Sequence, residues 1–307
     1  MKEKLKQNMP IILLLIFLFE VIFNFDNIYN WMYYSFTLCF YNLFPYIYPF
    51  MIVSTIILNY GINLSFLTKP ISKLFKTSEI CASVFLLSMI SGCPSNAKYI
   101  KELYDENKID EYEATKTLLF TQFTNPIFIL STLGITFLND KRLGIIILIS
   151  HYIGNIFIGI IFRNYHPSFN NKEINFYKNN KNFINIFTQS IMSTTNTLLI
   201  ILGVISFCNI LINILNNTFN LEGFLGSFLS SILEITQGTK NISLLDINKV
   251  LKSIIFTFLI SFGGLSIHTQ VFSIISNKKI RYKPYFTARL IHGIFSSLLT
   301  FLLLKLL

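Results

Sequence analysis

Long apolar blocks separated by short polar stretches dominate the chain. The clearest blocks are residues 9–23, 46–60, 143–162, 198–215 and 286–304. Each covers much or all of a hydrocarbon core about 30 Å thick, which takes about 20 helical residues to cross. The pattern predicts an all-α, polytopic helical membrane protein, with residues 1–307 forming a single membrane domain. Met1–Gln7 is basic and Pro10–Phe23 apolar, but Glu20 interrupts that run and no small-residue cleavage site follows. The N-terminus therefore reads as a retained first span and not as a cleaved signal.

Two shorter apolar segments are broken at their middles. The first, 79–100, is interrupted at Ser91-Gly92-Cys93-Pro94-Ser95-Asn96, and the second, 224–244, at Glu234-Ile235-Thr236-Gln237-Gly238. Neither arm of either segment is long enough to span alone, so each reads as a re-entrant hairpin. Each is followed by a longer helix interrupted at membrane depth. The interruptions are Gln122-Phe123-Thr124-Asn125-Pro126 and Ser261-Phe262-Gly263-Gly264-Leu265-Ser266. The Asn/Lys-rich stretch 163–182 reads as a cytoplasmic linker between a first repeat, 30–162, and a second, 183–305. Residue identity between the halves is low, so the shared rhythm carries the expectation. Two inverted repeats, each a hairpin plus a broken transmembrane helix, place their breaks near the midplane as a solute site.

Composition and charge sharpen this. Of 307 residues 52% are hydrophobic and 13% charged, about half the charged fraction of a soluble domain, and mean hydropathy is +0.57. The net charge of +10 does not point to nucleic acid, because the basic residues are spread among the polar stretches as topology signals. With the N-terminus inside, 24–30 lies outside and carries no Lys or Arg. The stretches 61–79 (Lys69, Lys73, Lys76), 163–182 and 277–289 (Lys278, Lys279, Arg281, Lys283, Arg289) lie inside. Lys141, Arg142, Lys240, Lys249, Lys252 and Lys305 do not follow this rule. Cys39, Cys81, Cys93 and Cys208 are scattered without metal-ligand spacing and read as small buried hydrophobes.

Polar groups within hydrocarbon are costly unless paired or facing a cavity, which makes their positions informative. Around Gly92 and Pro94 lie Ser95, Asn96 and Lys98. A helix starting there offers free N–H groups and a partial positive charge, with Lys98 one turn on, which suits a carboxylate. The alternative is a Ser95-capped turn with Lys98 pairing Glu102 at the water interface. Pro126 removes a helix hydrogen bond, and Gln122 and Asn125 share a face. They either hold Na⁺ or a substrate hydroxyl, or form a proline kink. Glu234, close to Thr236 and Gly238, is an acid inside an apolar block and reads as a proton or ion site, or else as a loop glutamate at the outer surface; Glu20 belongs near the outer interface. Gly263 and Gly264 permit close backbone approach. Ser266, His268 and Gln270 follow them, and His268 either titrates or packs between helices. No cofactor is expected beyond a coupling Na⁺ or H⁺. Ser95-Asn96-Ala97-Lys98 has the S-x-x-K spacing of a β-lactamase nucleophile, but its companion motifs are absent. There is no H-E-x-x-H, P-loop or dinucleotide fingerprint, and no enzymatic activity is expected.

Several runs, taken in order, resemble the YlbJ (stage V sporulation protein V) family of sporulation integral membrane proteins. They are Ser91–Lys98, Glu102-Leu103-Tyr104, Thr124–Ile129, Leu233–Gly238 and Ser261–Gln270, with Phe44-Pro45…Tyr48-Pro49-Phe50 also fitting. The resemblance covers about 30 to 290. That family belongs to the nucleoside-recognition "gate" group, related in architecture to concentrative nucleoside transporters. Asn96 stands where the family commonly has Gly; Asn tolerates left-handed backbone angles. The resemblance implies a multi-pass protein of the mother-cell-derived outer forespore membrane that moves dipicolinate, a small aromatic dicarboxylate. A secondary transporter of an anionic solute is therefore the leading expectation. A nucleoside or other neutral-solute transporter, and a non-transporting component of a sporulation membrane complex, are the alternatives.

Overall fold

The computed structural model describes residues 11, 14–15, 17–61, 64–165, 182–276 and 278–306. Apart from 163–165 and 182, the linker read at 163–182 lies outside the described residues. Among those described, secondary structure is helical throughout. Helix α1 (Phe25–Thr37) runs through a π-helical stretch, Leu38–Leu43, into α2 (Phe44–Tyr60). Then come α3 (Ser65–Phe75), α4 (Glu79–Ser91), α5 (Ser95–Asp105) and α6 (Glu111–Phe120). A π-helical Phe128–Phe137 follows the first break and leads to α7 (Lys141–Ile161). The second half contains α8 (Phe183–Phe219), α9 (Gly223–Leu233), α10 (Ile235–Leu244), α11 (Lys249–Phe262), α12 (Gly264–Ile275) and α13 (Tyr282–Leu306). Five helical units among the described residues are long and apolar enough to cross a membrane: 25–60, 141–164, 183–219, 249–275 and 282–306. The bent pair α3 and α4, at 104°, makes a sixth if counted as one span.

Two expectations about loops are corrected. Residues 25–30, within the stretch 24–30 read between spans, are not a loop but the first turns of α1, since no Pro or Gly breaks the chain between Phe25 and Leu43. The stretch 61–79 contains α3, whose Phe66-Leu67, Ile71 and Leu74-Phe75 recur at helical spacing. Phe75 is buried against the bundle while Phe66 stays 83% exposed, the disposition of a helix lying along a membrane surface.

The breaks are also narrower than read from sequence. The first hairpin turns at 92–94, between α4 and α5, and the second at Glu234 alone, between α9 and α10. Gly238 is thus inside α10 and not in the turn. A Cβ there would lie 2.1 Å from Ser231 Cα, so glycine lets the two arms fold back in contact. At ten to thirteen residues each, the arms extend roughly 15–20 Å at 1.5 Å per residue, short of a bilayer.

Apart from α3, which has no counterpart in the second half, the halves present a similar order of elements: a long helix, two hairpin arms, a helix, a break, a short helix and a final long helix. The corresponding long helices run antiparallel. Asn209 Nδ2 donates to Ser35 Oγ at 2.8 Å, the Tyr48 and Thr195 hydroxyls are 3.4 Å apart, and the Tyr60 and Phe183 rings meet at 6.3 Å. The final helices do the same: His292 Nε2 donates to His151 O at 2.9 Å, and Arg289 reaches Asn155. Gly154 lets α7 and α13 touch, since a Cβ there would lie 2.0 Å from Ser296 Oγ. Small and hydroxyl residues at such crossings are how helices associate in lipid, where apolar surface alone gives no preference.

Candidate functional site

The four breaks converge. Cys93 N–H donates to Phe123 O at 2.6 Å, joining the first hairpin turn to the first helix break. Gly92 (φ +78) lies against Asn125, where a Cβ would be 2.8 Å from its backbone nitrogen. In the second half Gly264 (φ +57) packs on the hairpin turn, with Ile235 Cγ1 at 3.0 Å and Ile232 O at 3.2 Å from an added Cβ. Positive φ at these positions is open to glycine and strained for other residues.

Between the breaks is a cavity of about 70 Å³. That exceeds the ~10–15 Å³ a single water needs and falls below the ~300–1,000 Å³ of a drug-sized site. Its polar lining is Cys93, Thr124, Asn125, Glu234, Thr236 and Gln270; Pro94, Tyr46, Ile47, Phe128, Ile201, Ile205 and Ile267 contribute apolar surface. Both halves thus share one enclosure, with π-helical Phe128–Phe137 starting at its wall. π-helical distortions often mark functional sites.

Glu234 is neither exposed nor in an outer loop: it is 2% exposed and caps α10. Its Oε1 accepts from Thr236 N at 3.0 Å and its Oε2 from Gln237 N at 2.7 Å. An ionised carboxylate there is stabilised by two charge-assisted bonds and the helix dipole. Asn125 does the same for the helix starting at Pro126, its Oδ1 accepting from Ile127 N at 2.9 Å and Phe128 N at 3.4 Å.

Of the residues singled out from sequence, Pro94, Asn125, Glu234, Thr236 and Gln270 line the cavity. Gly92, Pro126, Gly263 (φ +100) and Gly264 shape the breaks around it, while Gly238 packs the arms of the second hairpin together. Ser95 is buried in the turn, hydrogen-bonded to Ser91 Oγ (2.6 Å) and Gly92 O. Asn96 is helical and buried, donating to Thr121 Oγ1 at 3.4 Å. Lys98 sits neither in the lining nor at a water interface. It is 3% exposed and donates to Thr55 Oγ1 (2.7 Å) and Thr194 Oγ1 (2.8 Å), tying α5 to α2 and α8, with Glu102 at 3.9 Å. Ser266 is buried outside the lining. His268 points to a second groove, bonded to Phe262 O (3.0 Å) and Tyr282 OH (3.2 Å).

Gln122 belongs to a layer behind the cavity that was not read from sequence. Its Oε1 accepts from Tyr285 OH at 2.7 Å and its backbone oxygen from Asn155 Nδ2 at 2.6 Å. Thr124 N–H donates to His151 Nε2 at 2.9 Å, which leaves His151 Nδ1–H to donate to Ser261 Oγ at 2.8 Å. His151 therefore joins the two broken helices directly. Arg289, fully buried, donates to Leu119 O, Asn155 Oδ1 and His292 Nδ1. The signal for this layer was present: His151/Asn155 and Arg289/His292 are polar pairs at i, i+4 and i, i+3 inside apolar blocks.

Fold and site together define a polytopic α-helical membrane protein whose broken helices and hairpin turns line a shared cavity. No family model and no solved structure matches the chain. It is, however, 30% identical to the sporulation integral membrane protein YlbJ of Bacillus subtilis (strain 168), over a 302-residue alignment covering 86% of this chain and 74% of that protein. The chain belongs to the YlbJ family of sporulation integral membrane proteins.

Proposed function

We propose that the chain is a secondary transporter of a small anionic solute, dipicolinate during spore formation, working from the outer forespore membrane. The observation that carries this is a cavity lined by backbone breaks from both halves, the arrangement by which transporters present a solute with exposed backbone near the bilayer midplane. The inverted-repeat reading, 30–162 against 183–305, draws support from the shared element order and from antiparallel contacts between corresponding long helices. At about 70 Å³ the cavity holds a few waters, so a ring-bearing solute enters when the hairpins part from the long helices. Glu234, the one carboxylate in the cavity wall among the described residues, is the candidate for a coupling proton or Na⁺.

The test is uptake of labelled dipicolinate into proteoliposomes, against nucleosides, with and without Na⁺ and proton gradients. Gradient-driven dipicolinate uptake is expected. Uptake of nucleosides alone would replace the substrate class, and no uptake of either would favour a non-transporting component of a sporulation membrane complex.

A further inference from the structure

We infer that Arg289, held behind the cavity wall formed by Cys93 and Thr124, is the fixed counter-charge that makes the cavity select anions. This rests on the transport reading above.

The groups that sequence offered for holding an anion are already occupied. The N-terminus of α10 is filled by the Glu234 carboxylate. The helix beginning at Pro126 is capped by Asn125. In the first turn of α5 the N–H groups of Ser95, Ala97 and Lys98 turn back to Gly92 O and Pro94 O. The Lys98 ammonium is held by Thr55 and Thr194 outside the lining.

Arg289 is different. It is 0% exposed, and among the described residues no ion pair reaches it. Its acceptors are all neutral: a backbone carbonyl, an amide oxygen and an imidazole nitrogen. Its Nε has no partner among the described residues. A buried cation normally has an anionic partner. One chain of contacts connects it to the lining, through His292 to the His151 backbone and from the His151 ring to Thr124 N, and a second, through Asn155, ends on Gln122 O in the layer behind the wall. An anion arriving in the cavity supplies the missing counter-charge without displacing any of these bonds. A unit charge roughly 10 Å away, at an effective dielectric of about 20, changes an anion's affinity by about tenfold.

Asn155→Asp tests this, because it puts a carboxylate where Asn155 Oδ1 now lies, 3.4 Å from Arg289 Nη2 and 3.5 Å from Nη1. Asn155→Ser removes the same amide without adding charge. Cys93, on the lining, is the reporter, with Cys39, Cys81 and Cys208 replaced by Ala. The readout is the ratio of its modification rates by a sulfonate-bearing and a trimethylammonium-bearing methanethiosulfonate. Taking the ratio on one thiol cancels changes in access and intrinsic reactivity. Asn155→Asp should lower the ratio about tenfold, and Asn155→Ser should leave it within about twofold. Equal ratios in the two variants overturn the assignment and leave Arg289 as a tie on the end of α6. Protection of Cys93 by dipicolinate is measured in parallel, and its absence counts against the transport reading alone.

Discussion

Replacing Glu234 by Gln separates two jobs that the structure assigns to one side chain. The carboxylate caps α10 with both oxygens and also stands in the cavity wall. Glutamine keeps the volume and one acceptor, so one backbone N–H keeps a neutral bond while the other meets an NH₂ group. The lost charge-assisted bond is worth about 1.5–3 kcal/mol, and the lost charge at the helix N-terminus about 0.3–1 kcal/mol more. A total of about 2–4 kcal/mol corresponds to a fall in apparent Tm of roughly 4–16 °C, at roughly 2–4 °C per kcal/mol. Glu234→Asp keeps charge and cap, aspartate being a favoured N-cap residue, and should lose less than half as much. The assay is thermal unfolding of the purified protein in detergent, paired with uptake normalised to folded protein in liposomes. Gradient-driven uptake should disappear in Glu234→Gln and survive in Glu234→Asp. If Glu234→Gln melts with the wild-type protein, the capping argument is wrong; if it also transports normally, Glu234 has no part in coupling.

Lys98→Met should now act on stability and not on the solute. It strips two hydrogen bonds and leaves Glu102 without its ammonium, costing about 2–4 kcal/mol, with dipicolinate affinity changed less than about threefold; a larger affinity loss at unchanged stability would return Lys98 to the site. Gly238→Ala, which places a methyl on the Ser231 backbone, should cost about 1–3 kcal/mol of stability, whereas Gly203→Ala, with nothing within 4 Å of the added Cβ, should gain about 0.5–1 kcal/mol. Similar melting of the two variants would count against the packed second hairpin. Ser35→Cys combined with Asn209→Cys, whose native side chains meet at 2.8 Å, should cross-link with a short bifunctional thiol reagent in native membranes. The pair Ser35→Cys and Phe183→Cys, at opposite ends of the antiparallel helices, should not.

The later spans and the turns of both hairpins were legible because their causes are local, whereas the first long unit, 25–60, was read only from 46 onward. About twenty apolar residues are needed wherever lipid must be crossed, and Gly92, Pro94, Pro126 and Gly263 break helices by their own backbone chemistry. Glu234 and Asn125 were legible as conspicuous polar residues, because hydrocarbon penalises unpaired polar groups wherever they fall. Helix α3 was missed because its apolar pattern is short and interrupted by Lys69, Pro70 and Lys73. Arg289 was read as a topology signal because it adjoins a basic stretch, although it sits on the same helix face as His292. Sequence alone thus determined that the chain is helical and membrane-spanning, roughly where its main breaks fall and that Glu234 and Asn125 need an explanation. Only the tertiary structure decided what those polar groups face. Lys98, one turn from a cavity residue, is drawn to Thr55 and Thr194 on two helices far away in sequence. Arg289 is brought behind Thr124 by the crossing of α7 and α13. Whether a buried charge meets a partner, a helix end or a solute depends on which distant helices pack beside it, and no local pattern encodes that.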